Sequence, residues 1–155
     1  MSFYLWLKWL HILSAVVLFG TGIGIAYFKW TADRRGDVRT IRAINDQVVR
    51  ADWAFTAPAA IAQPLTGLAL ALIAGLPLSS GWIVYGIALY GIAGIAWLIV
   101  LRLQWRMREL ARRADSEGRP LPPAYRVLVR RWVALGFVGF AALIGAFWVM
   151  VFKPA

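Results

Sequence analysis

The chain has no cysteine, one histidine and only seven acidic residues among 155. Without thiols there is no disulfide, no thiolate nucleophile, no iron–sulfur cluster and no cysteine ligand for a metal or haem. No Ser-His-Asp set, phosphate-binding loop, HExxH stretch or paired intramembrane carboxylate is present. Hydrolase, nucleotide-dependent and metalloprotease chemistry therefore have no support. Charge of either sign is scarce, at 15% of residues against 61% hydrophobic and a mean hydropathy of +0.68. Such a composition does not fit a soluble globule, and its apolar residues must face lipid.

What charge there is lies in two places. Of seventeen Lys and Arg, six fall between Lys29 and Arg50 and nine between Arg102 and Arg131, with only Lys8 and Lys153 elsewhere. The formal net charge of +10 is thus a topological signal, since basic residues in short loops are retained in the cytoplasm during insertion. Nucleic acid is not needed to explain it, and none is expected as a partner. Trp6, Trp9, Trp30, Trp53, Trp82, Trp105, Trp132 and Trp148 lie near the ends of apolar runs, as two aromatic belts would.

Four runs reach the roughly 20 apolar residues needed to cross hydrocarbon. They cover about 3–28, 53–76, 82–101 and 132–152. Backbone groups have no water to bond there, so each run should be a helix. The expected fold is all-α, an integral membrane four-helix bundle in one domain over 1–155, N-out and C-out, in a bacterial-type cytoplasmic (inner) membrane. The first run has neither a basic stretch before it nor a small-x-small cleavage site after it, so it is expected to remain as the first span. Between the first two spans Ile41, Ile44, Val48 and Val49 recur at helical spacing among Arg39, Arg42 and Arg50. This predicts a basic amphipathic juxtamembrane helix, with its apolar face and its arginines turned to anionic headgroups. Gly75, Pro77, Ser79, Ser80 and Gly81 form an uncharged turn that should make spans two and three a helical hairpin. Gly20 and Gly24 have small-xxx-small spacing, which serves packing within the bundle or a homodimer. Pro58 and Pro64 should bend span two, free backbone carbonyls and border a cavity.

His11 falls in the outer third of span one, where an ionisable side chain costs about 2.5 kcal/mol or more unless it has a partner. Its helical face carries Ala15, Gly22 and Ala26, small residues that suit a neighbouring helix or a flat ligand. Imidazole is the common axial ligand of b-type haem in membranes and can also bind copper or relay protons. The alternative is a neutral imidazole hydrogen-bonded within the bundle. With one histidine, a second axial ligand would be Met150, a second copy's His11, or nothing. Lys8 and Ser14 flank His11 by one turn, and Tyr85 and Tyr90 open span three on the same side. Lys8, Ser14 and Tyr85 are the candidate pocket residues beside His11, and Gln63 is a lone amide in span two expected to bond a neighbouring helix. Asp52 at the inner end of span two is expected to cap a helix or pair with a loop arginine.

The stretch Tyr4-Leu5-Trp6-Leu7-Lys8-Trp9-Leu10-His11-Ile12-Leu13 resembles the first helix of the HemJ-type membrane protoporphyrinogen oxidases, in which a Trp-x-Lys-x-x-His-Ile segment carries the haem-associated histidine. Pro58-Ala59 with Leu65-Thr66-Gly67-Leu68, and the ending Val149-Met150-Val151-Phe152-Lys153-Pro154, are similar to that family's second helix and terminus. A related group of small four-helix integral membrane proteins is similar as well. The resemblance implies haem b or a related porphyrin at His11 and an oxidoreductase or haem-precursor function. It departs where those oxidases carry a lysine early in helix three, since Trp82-Ile83-Val84-Tyr85-Gly86 has none, and Lys29 only approximates their arginine near the end of helix one. The other class of function is a cofactor-free accessory or scaffold subunit of a membrane complex in which His11 is structural.

The charge distribution makes a direct prediction. A single cysteine placed at Ser79 should be labelled by an impermeant thiol reagent in intact cells, and one placed at Ser116 should not. The reverse pattern would overturn the topology.

Overall fold

A backbone in hydrocarbon must bond to itself, and the computed structural model, which describes residues 2–154, is all-helical over them. In chain order it contains α1 (Phe3–Arg35), α2 (Val38–Ala51), a π-helical turn (Asp52–Thr56), α3 (Ala57–Ile73), α4 (Gly81–Ser116) and α5 (Pro123–Phe152). The segment from α2 through α3 is one continuous rod, so four helices are long and apolar enough to cross a membrane. This is the expected four-helix membrane bundle. The helices overrun the expected spans at their basic ends, and α4 alone has 36 residues. At 1.5 Å per residue that is about 54 Å, well beyond a hydrocarbon core of about 30 Å.

Local chemistry sets the breaks. Gly75 has φ +64 and lets Leu76 N–H reach Ala71 C=O at 2.9 Å, closing α3 in a Schellman arrangement. Gly118, at φ +61, does the same for α4 through Arg119 N–H to Ala114 C=O. Asp37 accepts from Thr40 N–H and caps α2. Proline at the start of α5 supplies a preset φ where no N–H is needed.

The packing differs from the expected hairpin. Spans two and three are joined by a tight turn, yet α3 and α4 hardly touch, and the close pairs are α1 with α3 and α4 with α5. Their faces explain the choice. Gly67 of α3 receives the His11 ring from α1, whereas Gly86 and Gly145 let Met150 and Leu89 interdigitate between α4 and α5. Gly20 and Gly24 meet nothing within the chain, while Gly22 between them packs on Phe140.

The two pairs are tied together at the basic end. Ala32, Ile41, Leu103, Met107, Ala111, Tyr125, Leu128 and Trp132 form a core contributed by α1, α2, α4 and α5, with Met107 and Ala111 fully buried. The apolar face of α2, expected to lie on lipid, is instead covered by protein, because α2 packs across α4 and α1 and buries Ile41, Val48 and Val49. Arg39 and Arg50 stay exposed, and Arg42, also exposed, reaches Asp46 and, on α4, Asp115. Asp46 locks this crossing, accepting from Arg108 at 2.7 Å and Arg112 at 2.9 Å. Burial pushes its carboxyl up, but the hydrogen bonds and charges of Arg108 and Arg112 more than offset this and hold it below the usual carboxylate range.

Because α2 is seated on protein, amide protection over 41–49 should be the same in anionic and neutral nanodiscs, read by hydrogen exchange. Met107→Ala, which opens a cavity under that face, should cost about 2–5 kcal/mol and release the protection. Lipid-dependent protection in the wild type would show that α2 leaves the core for the bilayer.

Candidate functional site

Two polar sets lie within the apolar spans. The first surrounds His11 and is contained in the α1/α3 interface. Ser14 donates to Gln63 Oε1, and Gln63 Nε2–H donates to His11 Nε2 at 3.2 Å. His11 Nε2 is therefore an acceptor and the proton lies on Nδ1, which donates to Thr66 Oγ1 at 2.8 Å. Thr66 in turn donates to Ala62 C=O at 2.6 Å. The chain of bonds is complete, and a neutral imidazole is satisfied at both nitrogens.

Among the sequence candidates the structure brings Ser14 to His11, and adds Gln63 and Thr66. Lys8 is exposed on α1 and Tyr85 on α4, and neither is bonded to the His11 set. Met150 lies on the α4/α5 seam, its methyl resting over Gly86. Tyr90 donates to Ala60 C=O at 2.6 Å, the carbonyl left without a helical donor by Pro64. As a haem site the arrangement does not fit: His11 has no free nitrogen, and its Cε1 would lie 3.1 Å from a Cβ placed on Gly67, leaving no space for a macrocycle on that side. Among the described residues no group of three His, Asp or Glu is placed to hold a metal ion.

A family model described as "Predicted integral membrane protein (DUF2269)" matches residues 5–154. The chain belongs to this family. Neither the curated proteins nor the solved structures yielded a match.

The second polar set of this DUF2269 member was not assembled by its sequence. Between the α1/α3 pair and the α4/α5 pair, towards the basic end, lies an apolar cleft of about 530 Å³. Its walls are Leu18, Gly22 and Ala26 of α1, Asp52, Thr56 and Ala60 of the π-turn and α3, Ala93, Trp97 and Gln104 of α4, and Trp132, Gly136 and Phe140 of α5. Asp52 is 3% exposed and Gln104 2%. Five buried polar atoms around the cleft form no close hydrogen bond, Asp52 Oδ2, Thr56 Oγ1, Trp97 Nε1, Gln104 Oε1 and Trp132 Nε1, and the Thr56, Gln104 and Trp97 side chains lie beside the Asp52 carboxyl. The expected pairing of Asp52 with a loop arginine does not form. A volume of this order, mostly apolar and carrying a few convergent polar groups, is what a small-molecule site requires.

Local structure explains the cluster. Pro58 cannot donate, and the chain absorbs this with the π-turn, in which Ala57 N–H reaches back to Asp52 C=O. Asp52 and Thr56 then share one face. On α4, Trp97 and Gln104 are seven residues apart and also share a face. That spacing was the available signal, hidden because Trp97 sits mid-span rather than in a belt and Gln104 falls just past the apolar run.

Beneath the cleft, Lys29 is 1% exposed and is fully engaged. It donates to Asp33 at 3.0 Å and to Tyr125 Oη at 3.1 Å, between the Tyr125 and Trp132 rings at 5.3 and 5.6 Å from their centroids. Tyr125 donates to Asp33 at 2.7 Å and accepts from Asn45 at 2.9 Å.

The closed His11 set predicts a structural signature. His11→Ala and Thr66→Ala should each lower stability in detergent by about 1–3 kcal/mol, as one buried partner is stranded. The double variant should cost clearly less than the sum, because the stranding occurs once. Strict additivity in thermal or denaturant unfolding would show that the two side chains are not coupled.

Proposed function

We propose that this protein is a membrane-embedded binding protein that holds a small amphipathic molecule in the cleft between its two helix pairs. The observation carrying the reading is the convergence around one apolar cleft of five buried polar atoms that form no close hydrogen bond. Leaving a buried polar group without a good hydrogen bond costs about 1–3 kcal/mol. A ligand that supplies both donors and acceptors along its length recovers that cost. The position suits a molecule that reaches the site from the leaflet next to the basic loops.

Haem or porphyrin at His11 is the competing reading, supported by the resemblance of residues 4–13 to the HemJ-type first helix. It requires Gln63 to release Nε2 and the ring to leave Gly67. Colour separates the two readings. Protein made with ample haem should show no Soret band that depends on His11, whereas loss of such a band in His11→Ala would restore the haem reading.

Gly94 and Gly136 line the cleft, and a Cβ on either meets open space. Gly94→Leu and Gly136→Leu should therefore fold, each gaining up to about 1 kcal/mol of helix propensity, while filling the site. An organic extract of the purified wild type, read by mass spectrometry, should contain a small molecule in near-stoichiometric amount that both variants lack. Identical extracts from all three proteins would sink the reading and favour a cofactor-free accessory subunit.

A further inference from the structure

Resting on the cleft as a binding site, we infer that its ligand is a lipophilic organic cation and that Asp52 is the counter-charge. The distribution of acids makes the case. Asp33, Asp46, Glu109, Asp115 and Glu117 each form an ion pair with a lysine or arginine. Asp37 is exposed and caps α2. Asp52 alone is buried with no basic partner, in a chain that has seventeen Lys and Arg to offer. Nor is a cation held ready for it, since among the described residues no Lys, Arg or His lines the cleft and the nearby Lys29 is taken by Asp33 and Tyr125.

The rest of the wall suits a positive charge carried on an apolar body. Trp97, Tyr27, Phe137 and Phe140 present aromatic surface to the same space, beside Trp132 and Trp30 whose rings already carry Lys29 and Arg34, and ring faces attract a cation, more strongly when it is desolvated. Thr56 Oγ1 and Gln104 Oε1, on side chains that lie beside the carboxyl, keep acceptor capacity for N–H groups of a ligand. The indole N–H groups of Trp97 and Trp132 are donors able to steady the carboxylate or to meet an acceptor on the ligand body. An anionic ligand would meet a carboxyl with no basic partner in low dielectric, and a purely apolar one would offer the polar groups of the cleft nothing.

Tetraphenylphosphonium and tetraphenylborate, ions of one shape and opposite charge, test the sign. Binding to purified protein is read by calorimetry and by quenching of tryptophan emission at fixed near-neutral pH. The phosphonium should bind saturably, one per chain, and the borate should not. Asp52→Asn should weaken phosphonium binding at least about tenfold, Asp52→Glu should retain most of it, and Gly136→Leu should abolish it. Thermal unfolding of Asp52→Asn should be no lower than wild type, because a buried carboxyl with no basic partner is replaced by a neutral group of the same shape, which separates lost affinity from lost fold. Borate binding as tight as phosphonium, or Asp52→Asn within twofold of wild type, would overturn the inference. If the borate binds and Gly136→Leu removes it, the cleft is still a binding site and only the charge assignment falls. If neither ion binds saturably, the inference is overturned and the cleft reading rests on the co-purified molecule alone.

Discussion

One phenolic oxygen holds the basic end of this bundle together. Tyr125 Oη accepts from Lys29 of α1 and from Asn45 of α2, and donates to Asp33 of α1, while Tyr125 itself belongs to α5. Its ordinary capacity of one donated and two accepted bonds is fully used. Parts of α1 and α2 that lie 80 to 96 residues from Tyr125 are thereby fixed to one point, and Lys29 is neutralised where its charge would otherwise be prohibitive. Around this point the apolar core of Ile41, Met107, Ala111 and Leu128 is closed. Lipid provides no hydrophobic drive to gather helices, so a bundle anchored at one end is free to keep its pairs apart further along. The cleft follows from that anchoring.

Two prolines in α3 govern the rest of the cleft's shape. Pro64 leaves Ala60 C=O without its helical donor, and Tyr90 from α4 supplies one, a polar tie between two helices that otherwise hardly meet. Pro58 is accommodated by the π-turn just before it, and that turn rotates Asp52 and Thr56 to the same side. Both substitutions of backbone bonding are local, but their effect is to place a carboxylate and a hydroxyl against the apolar walls of α4 and α5. Met150, Leu89 and the glycines facing them hold those walls in register.

The architecture was legible in the sequence because its causes are one-dimensional. Four apolar runs of sufficient length, two clusters of basic residues and glycine at the helix ends dictate four membrane helices and their breaks without reference to what touches what. Pairing was not legible in the same way. The turn at Gly75 to Gly81 suggested a hairpin, yet a turn sets only proximity at one end, and the choice between α3 and α5 as partner of α4 depends on where Gly86, Gly145 and Gly67 meet bulky side chains. The amphipathic pattern of α2 was read correctly as a helix and wrongly as a lipid-facing one, because periodicity shows that a face is apolar and not what covers it. His11 is a costly isolated group in the sequence, and the set that relieves the cost, Ser14, Gln63 and Thr66, includes two residues 52 and 55 positions away.

The same limitation explains why Asp52 was underrated. In a chain with an excess of arginine, the economical expectation is that any acid at a helix end finds a basic partner, and five of the seven acids do. Asp52 does not, because the π-turn directs it inward, while Arg39 and Arg50 of α2 are exposed and Arg42 is taken by Asp46 and Asp115. Asp46, only six residues earlier, lies on the side that faces α4 and collects Arg108 and Arg112. A difference in helical phase between two aspartates on one continuous rod thus decides that the first becomes a structural lock and the second is left addressing the cleft. The unpaired carboxylate is a consequence of the backbone irregularity before Pro58, and regularising that turn would be expected to return Asp52 towards the arginine-rich surface and dissolve the polar wall.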